Sequence, residues 1–267
     1  MLTVETRTNH GKVRTINEDA VLADMDTGLL AIADGMGGHN AGEIASHLAL
    51  DSVLQFVRRS ATAQDFTWPF GVNPALSLTA NRLVTAVKLA SRQVFTESEA
   101  RPDYQGMGTT LVAALAEDGA ARLTFASVGD SRIYEMHDGA LRRLSRDDSW
   151  VALLSEQSGS DESTYRNHPL RNVLTNVVGA GPDMDVAVTE IDLRDDQTIL
   201  LCTDGLHGAI PDESIASILR EHHDMGQAAE LLVQTALERD GRDNITVLLA
   251  RYTNGGPKPG ANDELKT

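Results

Sequence analysis

Three short turns constrain the architecture most. Asp26-Thr27-Gly28, Glu117-Asp118-Gly119 and His137-Asp138-Gly139 each separate two strand-like runs. A link this short can only reverse the chain, because a parallel return needs a crossover of about a dozen residues or more. The turns therefore predict antiparallel hairpins: Ala20 to Met25 with Leu29 to Ala33, Thr109 to Ala116 with Arg122 to Val128, and Arg132 to Met136 with Ala140 to Leu144. Further strands are expected over Thr3 to Thr8, Val186 to Leu193, Thr198 to Cys202 and Ile245 to Tyr252.

Helical spacing appears elsewhere. Ile44, Leu48, Leu54 and Val57 mark a helix from about Gly42 to Arg58, and Leu83, Val87, Ala90 and Val94 mark one from about Pro74 to Glu99. Asp212 to His223 and Gln227 to Asp240 read as a second helical group, with Gly241 as a stop. Ala61 to Asn73 reads as a loop, and Asp147 to Pro182 as irregular and polar. Strand groups alternate with helix groups rather than as single βα units, so the class is α+β. One domain over residues 1–253 is expected, followed by a disordered Gly-, Pro- and charge-rich tail over 254–267.

The chain of 267 residues is 41% hydrophobic, enough for a sizeable core. Its formal charge is 23 − 39 = −16. That balance excludes binding to nucleic-acid backbones, which takes clustered Lys and Arg, and disfavours anionic membrane surfaces. Cys202 is the single cysteine, so no intramolecular disulfide can form. Met1 to His10 contains no apolar run of the kind a secretory signal carries. A cytoplasmic, monomeric protein is the expectation.

The chemistry is concentrated in a recurring arrangement. Aspartate follows an apolar strand and precedes a small residue in Ala31-Ile32-Ala33-Asp34-Gly35, Ser127-Val128-Gly129-Asp130-Ser131 and Leu200-Leu201-Cys202-Thr203-Asp204-Gly205. Gly241-Arg242-Asp243-Asn244 stands at the start of the last strand. Any one Asp-Gly is most simply a turn, and Asp118 and Asp138 lie in polar hairpin tips. Asp34, Asp130 and Asp204 differ, because strand ends can aim side chains at one rim. Hard oxygen donors without cysteine suit Mg²⁺ or Mn²⁺ better than zinc.

Seven segments in order resemble the PPM family of metal-dependent protein phosphatases, the PP2C type in its bacterial form. They are Gly11-Lys12-Val13-Arg14-Thr15-Ile16-Asn17-Glu18-Asp19, Ala33-Asp34-Gly35-Met36-Gly37-Gly38-His39, Gly106-Met107-Gly108-Thr109-Thr110 and Val128-Gly129-Asp130-Ser131-Arg132. His168-Pro169-Leu170-Arg171-Asn172-Val173-Leu174-Thr175, Cys202-Thr203-Asp204-Gly205-Leu206 and Gly241-Arg242-Asp243-Asn244-Ile245-Thr246 follow. The resemblance implies a four-layer α/β/β/α sandwich with two central antiparallel sheets and a flap subdomain over about 147–181.

It also implies roles. Asp34 bridges two metal ions, the Gly35 carbonyl binds one of them, and Asp204 and Asp243 complete a shell. Glu18 reaches the other ion through water, Asp130 with Asp204 holds a possible third ion, and Asp19 stands behind the ligands. Arg14 binds the substrate phosphate, where a guanidinium fork suits two oxygens. His39 is the candidate general acid. The implied activity is hydrolysis of phosphoserine and phosphothreonine monoesters by a metal-bridging hydroxide, in signal transduction opposite a Ser/Thr kinase. Rival readings are an inactive binding module of the same fold and a small-molecule phosphomonoesterase.

Two other chemistries fail on spacing. A cysteine phosphatase needs Cys-x5-Arg, but Gly208 stands six residues after Cys202; the glycines from 35 to 38 lack the Gly-Lys-Ser/Thr of a phosphate loop. The chain departs from the family pattern at Asp147-Asp148-Ser149, where many bacterial members carry Asp-His-Ser.

Overall fold

The computed structural model describes residues 1–38, 40–62, 66–117, 120–165 and 168–254. The central strands are buried on both faces, and the side-chain period of two divides each between two cores. Along β3 (Leu29–Met36), Leu29, Ala31 and Ala33 face one core while Leu30 and Ile32 face another. Along β11 (Ile245–Tyr252), Val247 and Leu249 face outward and Leu248 and Ala250 inward. Strands with this double burial must lie in the middle of a layered molecule.

Two antiparallel sheets result. One has the order β1 (Leu2–Asn9), β11, β10 (Gln197–Cys202), β7 (Arg132–His137), β8 (Ala140–Arg143). The other runs β2 (Asp19–Asp24), β3, β5 (Leu111–Ala116), β6 (Arg122–Val128), β9 (Ala187–Asp192), with the short β4 (Gly108–Thr109) also on β3. The inner core between them includes Ile32, Val112, Ile199, Leu201 and Leu248.

Helices α1 (Ala41–Thr62) and α2 (Leu78–Ala100) cover the outer face of the second sheet through Ala45, Val53, Leu83 and Val87. The four-residue α4 (Asp204–His207), α5 (Asp212–Glu221) and α6 (Met225–Arg239) cover the first through Leu206, Ile215, Leu219 and Leu232. The four-layer sandwich expected from the sequence is present. Helix α2 starts at Ser77, whose Oγ accepts the Ala80 N–H at 3.0 Å, a cap worth about 1 kcal/mol. The expected loop before it is tied down where described: Phe66 and Trp68 stack edge-to-face with each other and with Phe56 of α1.

The segment 147–182 is less irregular than its polarity suggests. It holds α3 (Trp150–Ser158), started by Ser149 Oγ on the Ala152 N–H and ended by Gly159 in the left-handed region at φ 66°. A short 3₁₀ turn follows at Glu162–Tyr165. Helix α4 is also additional to the expected elements, one turn long and too brief for periodicity to reveal. The expected disordered tail falls, from residue 255 onward, outside the described residues.

Candidate metal centre

Register brings the acidic residues to one edge of the sandwich. Asp19 and Asp34 are direct antiparallel partners on β2 and β3. Leu111 pairs with Val128, and the Thr110 N–H donates to the Asp34 carbonyl at 2.9 Å, so the link carrying Asp130 leaves β6 beside the end of β3. In the other sheet Cys202 pairs with both Val247 and Arg132, which brings Asp204 and the start of β11 to that same edge. Two links cross between sheets here: β1 to β2, carrying Arg14 and Glu18, and β6 to β7, carrying Asp130.

The carboxylates act on one another electrostatically. Burial pushes the Asp34 carboxyl well above the usual range, and Asp19, Asp204, Asp130 and Asp243 each push it further. Asp204 is raised to about 6, first by burial and then by Asp243, while a hydrogen bond with Asp34 works the other way. Asp19 is held at about 7 by burial, against hydrogen bonds from Thr246 and Thr203. Its Oδ2 accepts from Thr203 Oγ1 at 2.9 Å, and it is 5% exposed, so it stands behind the rim. Asp130 is raised to about 7 by burial and by Asp204 and Asp147. These are groups that repel one another in a poorly solvated place, a state that a cation relieves.

Glu18 lies beside the start of α1, its side chain against Gly42, where helix N–H groups favour negative charge. Burial nevertheless raises it, offset in part by Arg14. Arg14 Nη2 reaches both oxygens of Asp243 at 3.0 Å, and its Nη1 lies 3.8 Å from Glu18. Its side chain stays 48% exposed, so the guanidinium is anchored but available. Gly35 packs where the backbones of Gly42 and Glu18 leave no room for a Cβ.

The structure thus brings together Arg14, Glu18, Asp19, Asp34, Gly35, Asp130, Asp204 and Asp243. His39 lies outside the described residues. Among the described residues, no three acidic, imidazole or thiol groups are already placed to hold one metal ion. The arrangement is a rim of carboxylates rather than one preformed pocket. A cation fits this rim chemically. Buried Glu18 Oε1, Asp19 Oδ1 and Asp204 Oδ1 have no hydrogen-bond partner, and a buried polar atom left so costs about 1–3 kcal/mol. All are hard oxygen donors of the kind Mg²⁺ and Mn²⁺ take.

Several supporting residues carried no distinguishing sequence signal. Asn244 ties the Arg14 and Glu18 link to the start of β11. Thr110 Oγ1 accepts the Asp34 N–H at 3.0 Å. His207, driven neutral by burial, has its Nε2 on the Asp130 carbonyl at 2.9 Å. Beyond Asp130 and Asp204 opens a cleft of about 880 Å³, walled on one side by the segment after Asp147 and on the other by α4 and the start of α5.

A family model described as protein phosphatase 2C matches residues 7–239. The serine/threonine phosphatase stp of Listeria monocytogenes is 32% identical over 252 residues, covering 92% of this chain and 94% of that protein. The crystal structure of the Mycobacterium tuberculosis serine/threonine phosphatase PstP/Ppp aligns with a TM-score of 0.81 at 32% identity, over 95% of this chain and 99% of that one. The PstP catalytic domain in complex with two manganese ions aligns at 0.79 with 30% identity, again over 95% and 99%.

Proposed function

The chain belongs to the protein phosphatase 2C family and is a metal-dependent serine/threonine protein phosphatase, and we propose that the carboxylate rim is its metal centre and Arg14 its phosphate anchor. The observation that carries this reading is Asp34, pressed upon by four other carboxylates at one edge of the sandwich. Mn²⁺ or Mg²⁺ is the cofactor. Asp34, the Gly35 carbonyl, Asp204, Asp243 and Glu18 would hold two ions. Asp130 with Asp204 would hold a third. Asp19 holds its place behind them through Thr203. Residues 147–181 form a flap beside the cleft, on the single domain of residues 1–253.

When bound, the cations supply Lewis acidity, lowering the pKa of water at the rim and neutralising phosphate charge. The chain's own groups do the rest. The Arg14 guanidinium, fixed by Asp243, presents its exposed N–H groups to the phosphate oxygens and stabilises charge that grows on them in flight. The rigid strand ends hold the carboxylates so that little reorganises during reaction. The cleft beside Asp130 and Asp204 admits the polypeptide that carries the phosphoseryl or phosphothreonyl group. Its substrates are phosphoproteins made by a serine/threonine kinase. Among the described residues, no helix is long and apolar enough to cross a membrane.

The test is hydrolysis of para-nitrophenyl phosphate and a phosphothreonine peptide after EDTA stripping, then with Mn²⁺ or Mg²⁺ restored, for wild type and Asp204→Asn. Wild-type activity returns with metal, and the variant falls by about a hundredfold or more, as loss of a charged ligand to a catalytic ion requires. A folded wild type that binds Mn²⁺ but hydrolyses neither substrate overturns the reading.

A further inference from the structure

The departure at Asp147-Asp148-Ser149 has a structural meaning. Ser149 already caps α3, so Asp148 is not needed for that task. Its Oδ2 instead accepts two hydrogen bonds. One comes from Asn176 Nδ2 at 3.0 Å, on the returning limb of the flap. The other comes from the Gly129 N–H at 3.3 Å, the residue before Asp130. The backbone repeats the stitch: the Asp148 N–H donates to the Gly129 carbonyl at 2.8 Å and the Thr175 N–H to the Asp148 carbonyl at 2.8 Å. The two limbs are further zipped by the Ser149–Leu174 bridge and by the Trp150 N–H on the Val173 carbonyl at 2.9 Å.

Asp147 holds the other side of the same link. Arg132 lays its fork on that buried carboxylate, with Nε at 3.0 and 3.1 Å and Nη2 at 2.6 Å. Consecutive flap residues therefore grip Gly129 and Arg132, which flank Asp130 and Ser131. The path continues inward. Ser131 Oγ lies 2.7 Å from Thr110 Oγ1, which takes the Asp34 N–H.

We propose that Asp148 is a positioning residue that clasps both limbs of the flap to the Gly129–Asp130 link and so couples the flap's position to the placement of Asp130 at the metal centre. The inference rests on the proposed roles of Asp130 and of the flap. Because the Asp148 carboxylate sits between Asn176 and the Gly129 N–H, displacing either limb carries the carboxylate away from its partner on the other. A substrate protein that moves the flap thereby moves a cation ligand, and a cation on Asp130 stiffens the flap.

The experiment uses the full chain with Asp148→Ala, Asp148→Asn, Asn176→Ala and the Asp148→Ala/Asn176→Ala double variant. Amide hydrogen exchange is followed at Trp150 and Thr175 without metal, and Mn²⁺ binding by calorimetry. Hydrogen bonds to a charged group are strong enough that their loss speeds local opening by about tenfold. Asp148→Ala is expected to do this, to weaken the Asp130-side Mn²⁺ step several-fold, and to raise KM for the phosphopeptide while kcat on para-nitrophenyl phosphate stays within about twofold. Asp148→Asn, which keeps a shared acceptor oxygen, restores most of each effect, and adding Asn176→Ala to Asp148→Ala changes little more. Wild-type exchange in Asp148→Ala, or additive effects in the double variant, would overturn the clasp. Faster exchange with unaltered Mn²⁺ binding would overturn the coupling. A wild type that takes up no Mn²⁺ is a different failure, that of the proposed metal centre.

Discussion

Asn244 satisfies three backbone groups with one side chain. Its Nδ2 donates to the carbonyls of His10 at 3.1 Å and Ile16 at 2.9 Å, and its Oδ1 accepts the Glu18 N–H at 2.8 Å. At 3% exposure it has little water to replace these bonds. Asn244→Ala orphans all three groups, and at about 1–3 kcal/mol for a buried one, less where the link relaxes, the total loss is about 2–3 kcal/mol. That lowers Tm by about 5–10 °C in a chain of this size. Because the same link carries Arg14, KM for para-nitrophenyl phosphate rises as well. A thermal melt matching wild type would show that water satisfies the exposed groups. The residue also shows where sequence reading stops. Asp34, Asp130, Asp204, Asp243, Glu18 and Arg14 were legible as one candidate group because their neighbours form an ordered series of motifs. Asn244 sat inside one of those motifs, yet an asparagine after an aspartate looks like any turn residue. Thr110 and Thr203 were equally silent, since a hydroxyl that holds a backbone amide or a carboxylate leaves no pattern along the chain.

Glycine placement belongs to the scale of elements. In sequence, Asp34-Gly35 and Asp204-Gly205 look like turns. In the structure Gly35 is part of β3 and Gly205 part of α4, and close approach explains both. A Cβ on Gly35 would collide with the Gly42 carbonyl oxygen, and one on Gly205 with that of Asn244. These close approaches let β3 meet the start of α1, and α4 meet the start of β11, closely enough for Asp34 and Asp204 to share a rim. Gly35→Ala therefore forces β3 from α1, an overpacking cost of about 1–3 kcal/mol. The accompanying shift of Asp34 weakens Mn²⁺ binding, read by calorimetry, by about tenfold or more. Retained affinity with lowered stability would mean that α1 yields and the rim does not. Elements were legible in proportion to how local their cause is. Hairpins announce themselves through a turn and two apolar runs. Helix α3 did not, because nine residues give few periods and its limits are set by a serine cap and a left-handed glycine. Helix α4, a single turn, gave none.

The pairing of two sheets into a sandwich is a property of the whole molecule, and no run of residues encodes it alone. Double burial of β3 and β11 reports it only after the sheets are known, and the family motifs carried that part of the expectation. The same layering concentrates negative charge at one edge, so stability must depend on pH and on cations together. Asp19 and Asp130 at about 7, Asp204 at about 6 and Asp34 well above its usual range all exceed the ordinary aspartate value in the folded chain. Unfolded aspartates titrate near 3.9. Between there and about pH 7 the folded state binds more protons than the unfolded one, so stability of the metal-free protein falls as pH rises, and the loss is complete above the folded values. His207 opposes this at the acid end, because a buried neutral imidazole loses stability as pH falls through about 6.5. It is present with and without metal, so the difference between the two states isolates the carboxylates. Mn²⁺ needs them ionised and competes with protons for them. The rise in Tm produced by saturating Mn²⁺ over EDTA-treated protein should therefore be small at pH 5.5 and grow by several degrees by pH 8, with most of the growth between about pH 6 and 7.5. Asp34→Asn should flatten that growth, since it removes the carboxylate the others surround. A Tm increment independent of pH in the wild type would mean that Mn²⁺ binds somewhere other than this rim.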